Sequence, residues 1–330
     1  KKGTKLNLFG WSSVRPLYGG TGSGATSEEK STTLIQGLEN AGYEVNTELI
    51  DFYEKFRSER PVGTIRLREL GSKKGDWTIP EPTIVEFSDT ALIVISRTGG
   101  EGFDVPQSLT KTDEHNVQYG ELAQYYTFGT QEDDLDAKKS YLELSNRESK
   151  MVERVCKEFD NVVVVVNSSN AMELGWLEDY ESIKAAVLCA APGEVGFDSL
   201  GRVLNGEVNP SGHLADTYVY DLLNTPTVNN FGGTSYDNYA EVTGSEENVA
   251  KFLNYSEGIY VGYKFYETAA EEGLINYEEV VQYPFGYGMS YTTFESKIAD
   301  VKDTGDDITL SIDVTNTGDT AGKYGAEIFY

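Results

Sequence analysis

Short apolar runs recur along the chain, uninterrupted at residues 91–95, 162–166 and 185–190 and with one asparagine at residues 6–9. An uninterrupted run of this length is typical of a β-strand that is covered on both faces, as in a parallel sheet. Residues 43–50 are a further strand candidate. The pattern therefore predicts a largely parallel sheet buried between two layers of helices.

Helix signals fall between these runs. Thr26 and Glu29 have the spacing of a capping box, and so do Ser145 and Glu148. Each pair precedes an apolar stripe with helical spacing, formed by Leu34, Ile35 and Leu38 after the first pair and by Met151, Val152, Val155 and Phe159 after the second. Gly42 is a natural end for the first helix. Because strands and helices alternate, we expect a doubly wound, mostly parallel α/β sandwich of about six strands.

The periodicity changes near the end of the chain. Apolar and polar residues alternate over residues 308–315, a turn signal follows at residues 316–319, and a further run ends at Tyr330. Strict alternation predicts strands with one buried face. We expect three strands here, whereas a β-sandwich needs about seven, so the chain is expected to stop within this second unit.

A glycine-rich loop follows the strand predicted at residues 91–95, with Glu101 between Gly99 and Gly102 and next to Phe103. Ligands of parallel α/β folds gather beyond the carboxyl ends of the strands. Glycines let the backbone of such a loop approach a ligand closely. Glu101 is therefore a candidate catalytic acid, and the alternative from these residues alone is a solvated loop glutamate.

A second glycine-rich stretch, GGTGSG, occupies residues 19–24 ahead of the first helix. Glycine loops before helices can bind phosphate groups, which makes a nucleotide-binding α/β protein one hypothesis. The stretch matches neither the dinucleotide-binding nor the phosphate-loop spacing, and no lysine follows in the required place. The spacing therefore disfavours nucleotide binding.

Composition narrows the classes of function. The net charge is -27, with 54 acidic and 27 basic residues, which disfavours nucleic acid as a partner. Two cysteines are too few for a disulfide framework, and no apolar run is long enough to span a membrane. His115 and His213 stand alone, and the acidic residues at 132–136 lack the glycine and closing glutamate of a calcium loop. We therefore expect no metal and no cofactor.

Several longer segments carry a family resemblance. They are GGEGFD at residues 99–104, VVVVVNSSNAMELGWLED at 162–179, APGEVGFDSLGRVLNGEVNPSGHLADTY at 191–218, YSEGIYVGYKFYET at 255–268 and YPFGYGMSYTTF at 283–294. Together they span nearly the whole chain, and they occur in the order found in glycoside hydrolase family 3, the β-glucosidase family. The chain resembles a member of that family.

The resemblance implies three regions. Residues 1–221 would form the α/β sandwich domain that carries the acid/base loop, and residues 222–297 would form a connecting segment that wraps back over it. Residues 298–330 resemble the opening strands of the family's fibronectin-III-like domain. The aspartate nucleophile of the family lies on a (β/α)8 barrel, in a Ser-Asp-Trp-like motif that this sequence lacks. The barrel is therefore expected outside this chain, before or after it.

The resemblance also implies the chemistry. Glu101 would be the general acid/base of a retaining β-glucosidase, which hydrolyses terminal non-reducing β-D-glucosyl residues. Substrate contacts would come from Gly100, Phe103 and Arg97, and residues 19–24 would form a loop near the sugar site. The expected partners are a β-glucoside or cello-oligosaccharide and the barrel domain.

Other interpretations stay open at this point. A β-xylosidase of the same family and a non-catalytic carbohydrate-binding or assembly module share the same motifs, and a homo-oligomer is compatible with them. The acidic charge and cysteine usage favour a cytoplasmic bacterial enzyme over a secreted one. The long polar loop at residues 105–139 carries several tyrosines, which are candidates for stacking against the aglycone.

Overall fold

The computed structural model describes residues 3–20, 22–59, 86–97, 99–101, 105, 138–230, 234–245 and 250–329. Its centre is a five-stranded sheet in the order β2-β1-β3-β4-β5. The strands are β1 (Lys5–Phe9), β2 (Glu44–Val45), β3 (Thr90–Arg97), β4 (Asn161–Ser168) and β5 (Ile183–Leu188). Every pairing within the sheet is parallel, which confirms the predicted parallel α/β fold.

Longer helices lie on both sides of this sheet. They are α1 (Leu34–Asn40), α2 (Thr47–Glu59), α3 (Asn146–Glu158) and α4 (Gly196–Leu204). Residues of β3 alternate between two cores, with Ile93 and Ile95 in the core that contains α2 and α3 and with Leu92 and Val94 in the core that contains α1 and α4. Both faces of the central strand are therefore buried, as its unbroken apolar run predicted.

The sheet has five strands in the described residues, whereas about six were expected. The segment expected to supply the last strand forms only β6 (Tyr218–Val219), which pairs antiparallel with β9 (Val281–Tyr283). Val219 packs there with Tyr266 and Val281 in a small core of its own. The apolar residues that could have extended the sheet are thus used to hold the following segment.

Two helix starts were predicted, and one was placed wrongly. Ser145 caps α3 with the predicted capping box to Glu148. In contrast, α1 begins at Leu34 behind a capping box of Thr33 and Gln36, and residues near Thr26 form only a 3-10 turn, Glu28–Lys30. The capping box of Thr33 lies immediately before the apolar stripe, so it satisfies the first amide groups of the helix that packs into the core.

The strand predicted at residues 43–50 is also shorter than expected, because β2 contains only Glu44 and Val45. The side chain of Asn46 then accepts a hydrogen bond from the amide of Leu49, at 3.3 Å, near the start of α2. Asn46 also donates from its amide nitrogen to Asn7 in β1, at 2.8 Å. The chain thus turns from strand to helix on an asparagine that is tied to the neighbouring strand.

Helices α1 and α4 meet at two glycines. A Cβ atom at Gly37 would collide with the carbonyl of Phe197, and one at Gly201 would collide with the carbonyl of Gly37. Asn40 extends this contact by donating to Asp198 at 2.8 Å. Only residues without a side chain allow the two backbones to approach this closely.

The second half of the chain contains smaller elements. The helices are α5 (Pro226–Asn230), α6 (Tyr239–Thr243), α7 (Tyr263–Glu271) and α8 (Tyr277–Val280), and β7 (Thr234–Ser235) pairs with β8 (Lys251–Phe252). The alternating region forms an antiparallel pair, β10 (Phe294–Asp303) with β11 (Ile308–Asn316). Its membership of a fibronectin-III-like domain stays a prediction, and so do the domain boundaries after residues 221 and 297.

The described residues contain neither a candidate membrane-spanning helix nor a candidate metal site. None of their helices is both long and apolar enough to cross a membrane. None of their histidine, cysteine, aspartate and glutamate side chains gather in threes at a spacing that could hold a metal ion.

Candidate active site

Glu101 lies beyond the carboxyl end of β3, on an exposed loop that leaves the strand after Arg97. β2 lies next to β1 toward one edge of the sheet, whereas β4 lies next to β3 toward the opposite edge. The strand order therefore reverses between β1 and β3. Crevices at such a reversal are where open α/β sheets bind ligands, and Glu101 stands at its edge.

The second glycine-rich loop reaches the same place from β1. Ser23 donates two hydrogen bonds to Oε2 of Glu101, one from its backbone N–H at 2.7 Å and one from its hydroxyl at 2.5 Å. Gly22 lies so close to the Glu101 carboxylate that a Cβ atom would collide with it. The two glycine-rich loops that the sequence singled out separately thus form one structural unit around Glu101.

These contacts set the charge preference of Glu101. The Ser23 hydroxyl and, secondly, the Ser23 backbone N–H lower the pKa of Glu101 below its ordinary value. Both groups donate hydrogen bonds, so they favour the carboxylate over the protonated acid. The carboxylate can act as a proton acceptor in this environment, and a nearby negative charge would be needed to raise its pKa again.

Three further residues, Gly100, Phe103 and Arg97, were predicted to contact the substrate. Gly100 is exposed beside Glu101, and its contact with a substrate stays a prediction. Phe103 lies outside the described residues, as does almost all of the tyrosine-bearing loop at residues 105–139. These predicted contacts stay predictions.

Arg97 has a different environment from the one expected of a substrate contact. Its side chain is fully buried. Its nitrogens donate to the carbonyl oxygens of Tyr141 at 2.6 Å, Ser96 at 2.8 Å and Glu143 at 2.5 Å, and to both carboxylate oxygens of Glu148. This burial argues against a direct contact between Arg97 and a sugar. Arg97 instead anchors the end of β3, from which the Glu101 loop departs.

Asn167 is a second anchor, and the sequence reasoning missed it. Its Oδ1 accepts hydrogen bonds from the Ser96 hydroxyl at 2.9 Å and from the Leu17 amide at 2.6 Å. Its Nδ2 donates to the carbonyl oxygens of Leu17, Cys189 and Ala190. The side chain is completely buried at the end of β4, where it joins the ends of β3 and β5 to the loop after β1. A polar residue directly after five valines was the available signal.

Glu173 was also missed. It follows β4, its Oε1 accepts from the Leu222 amide at 2.7 Å, and burial raises its pKa to about 7 against the opposing effect of that hydrogen bond. The negative charges of Glu143 and Asp221 contribute to this rise, less than burial does. Glu173 is thus a carboxyl group whose raised pKa lies near neutral pH, on the connection between β4 and β5.

Comparison with known proteins places these features in a family. Residues 1–263 match the sequence model of the glycosyl hydrolase family 3 C-terminal domain. The chain is 30% identical to beta-glucosidase A of Butyrivibrio fibrisolvens over 100% of this chain and 38% of that protein. It is 28% identical to a beta-glucosidase of Ruminococcus albus over 99% of this chain and 29% of that protein.

A solved structure agrees in fold. Beta-glucosidase 3B of Thermotoga neapolitana, determined in complex with glucose, superposes with a TM-score of 0.67 at 26% identity over 98% of this chain and 39% of that one. The chain therefore spans between 29% and 39% of the length of these similar proteins. Because the family model covers 263 of its 330 residues, the chain belongs to glycosyl hydrolase family 3, and the matching part is the C-terminal domain of that family.

Proposed function

We propose that this chain supplies the general acid/base, Glu101, of a retaining β-glucosidase that hydrolyses terminal non-reducing β-D-glucosyl residues. The position of Glu101 carries the proposal: an exposed carboxylate on a glycine-rich loop, at the strand-order reversal of a family 3 sheet. The similar proteins named as beta-glucosidases support the substrate class, and so does the related structure that contains glucose.

Two carboxyl groups are required for this chemistry. In retaining glycosidases they lie about 5–5.5 Å apart, and one attacks the anomeric carbon while the other protonates the departing oxygen. Glu101 has the second role, and after departure of the aglycone it removes a proton from the attacking water. The nucleophile is an aspartate on a (β/α)8 barrel outside this chain, and the exposure of Glu101 suits a site that is completed by a second domain.

The electrostatics at Glu101 fit the two steps. Before attack, the charged nucleophile beside Glu101 raises the pKa of Glu101 and keeps the acid protonated. Once the nucleophile is glycosylated, that charge is gone, and the donors from Ser23 favour the carboxylate that serves as base. The same side chain therefore changes role as its partner changes charge.

The test uses the intact enzyme, with the barrel present, and a series of aryl β-glucosides whose leaving groups differ in acidity. We expect Glu101→Gln to lose far more activity on poor leaving groups than on good ones, because a good leaving group needs little protonation. Glu29→Gln, an exposed carboxyl in the turn that follows the Ser23 loop, should behave as wild type. Proton NMR of the first product should show the β-anomer.

Three outcomes would contradict this function. An equal loss of activity on all leaving groups would remove Glu101 from the acid role. Release of the α-anomer first would exclude retention. If the wild-type protein binds the sugar but does not hydrolyse it, the carbohydrate-binding module is favoured instead.

A further inference from the structure

We propose that Ser23 is a positioning residue for Glu101, holding one oxygen of its carboxylate so that the other oxygen exchanges the proton. This inference rests on the proposed function of Glu101 as acid/base. It concerns the loop after β1, for which the sequence suggested only a place near the sugar.

The contact is asymmetric. Both hydrogen bonds from Ser23 end on Oε2 of Glu101, at 2.7 Å from the backbone N–H and at 2.5 Å from the hydroxyl. A protonated carboxyl group keeps an acceptor oxygen, so Ser23 can hold Oε2 in both protonation states provided that the proton resides on Oε1. The two steps of the reaction can then use Oε1 without releasing the anchor.

The loop is built to make this contact. Gly22 has a φ of +60° and leaves no room for a Cβ atom beside the Glu101 carboxylate. Backbone hydrogen bonds from Gly20 to Gly24 and from Ala25 to Gly22, both 3.1 Å, close the turn around Ser23. The two Ser23 donors on this closed turn hold the exposed Glu101 carboxylate in one orientation, and a fixed orientation toward a substrate favours reaction.

The contributions of the Ser23 hydroxyl and of the Ser23 backbone N–H to holding Glu101 can be measured separately. Replacement of Ser23 by alanine removes the hydroxyl and leaves the backbone N–H in place. Threonine restores a hydroxyl at the same position. Because a donor stabilises the charged form, the loss of the hydroxyl should make Glu101 easier to protonate and less firmly oriented.

The experiment measures pH profiles of kcat/KM for the intact enzyme on an aryl β-glucoside. The basic limb reports the acid that must be protonated in the free enzyme, so we expect Ser23→Ala to move it to higher pH and to leave the acidic limb in place. Ser23→Thr should restore the basic limb. Ser27→Ala, an exposed serine after the same glycine loop whose side chain caps no helix, should leave both limbs unchanged.

A second readout separates positioning from general loosening. With a very good leaving group the second step limits turnover, and Glu101 acts there as base. We expect Ser23→Ala to lower kcat and KM together, each several-fold, because the glycosyl-enzyme accumulates. A rise in KM with unchanged kcat would indicate lost substrate binding and would overturn the positioning role.

The Glu101→Gln variant distinguishes a failure of the positioning role of Ser23 from a failure of the acid/base role of Glu101. If Glu101→Gln keeps the wild-type basic limb, the proposed acid/base role is wrong. If Glu101→Gln abolishes that limb but Ser23→Ala does not move it, only the positioning role is wrong. In the Glu101→Gln background, Ser23→Ala should cause no further loss, and an additive loss would assign Ser23 an independent role.

Discussion

Arg97, the last residue of β3, donates to both carboxylate oxygens of Glu148 in the first turn of α3, at 2.8 and 2.5 Å, and both side chains are buried. The Glu148 carboxylate also accepts from the Ser145 amide at 2.8 Å. One carboxylate thus completes the helix cap and neutralises the guanidinium that anchors the strand. The position from which the Glu101 loop leaves the sheet is fixed by this pair.

Removal of one partner of the Arg97–Glu148 pair should destabilise the folded protein. We expect Arg97→Met to lower the free energy of unfolding by about 3–5 kcal/mol, because the Glu148 charge remains buried without its partner. Urea denaturation of the intact enzyme measures the loss. Arg154→Ala, which removes the exposed pair of Arg154 with Glu158, should cost less than about 1 kcal/mol.

A double-mutant cycle checks the coupling. Arg97→Met combined with Glu148→Gln should cost clearly less than the sum of the two single changes, since each single variant leaves a buried charge unpaired and the double variant leaves none. Additive losses would show that the two side chains stabilise the fold independently, and the anchoring role of the pair would be rejected.

Even a conservative change of Asn167 should destabilise the folded protein. Asn167→Asp keeps the acceptor for Ser96 and Leu17, but it loses the donor to the carbonyl groups of Leu17, Cys189 and Ala190 and buries a charge. We expect it to lower the free energy of unfolding by at least about 2 kcal/mol. Asn205→Asp is the matched control in urea denaturation, because Asn205 is partly exposed and its side chain donates only to Ala41 while accepting from the Glu207 amide. Equal effects of the two variants would contradict the role of Asn167 as an anchor of these strand ends.

Glu173 should make stability depend on pH. Its folded pKa of about 7 lies above the ordinary value of 4.5, so the folded state holds a proton that the unfolded state releases in this interval. The contribution is fully present below pH 4.5 and is lost as the pH rises toward 7. Because Glu173 is only half-buried, solvent screening limits the effect to the order of 1 kcal/mol.

The comparison of Glu173→Gln with wild type tests this sign. Glutamine keeps an acceptor for the Leu222 amide and carries no charge, so thermal unfolding should vary less with pH between 4.5 and 7, and the variant should be more stable at pH 8. Glu241→Gln, in an exposed turn of α6, should retain the wild-type dependence. A variant of Glu173 with the wild-type slope would assign the pH dependence to other groups.

Local patterns in the sequence predicted the features that are determined locally. The unbroken apolar runs gave β3 and β4 with both faces buried, and the Ser145 capping box gave the start of α3. The sequence also placed Glu101 on a loop beyond a strand. Each of these depends on residues within a few positions of one another, where periodicity and capping rules apply.

The features that the sequence did not predict depend on contacts between residues far apart in the chain. Arg97 and Glu148 are 51 positions apart, and Ser23 and Glu101 are 78 apart. No local pattern distinguishes an arginine that will be buried by a carboxylate from one that will contact a substrate. The described residues lack the expected sixth strand for the same reason, because β6 pairs with β9 in a later part of the chain.

The most direct test of the account is azide rescue of Glu101→Ala in the intact enzyme, with an aryl β-glucoside that has a very good leaving group. Such a variant should still form the glycosyl-enzyme, stall for want of a base, and regain turnover with azide while releasing the β-glycosyl azide. That product would establish Glu101 as the acid/base of a retaining enzyme. Wild-type activity that azide does not change would place the acid/base elsewhere and contradict the account.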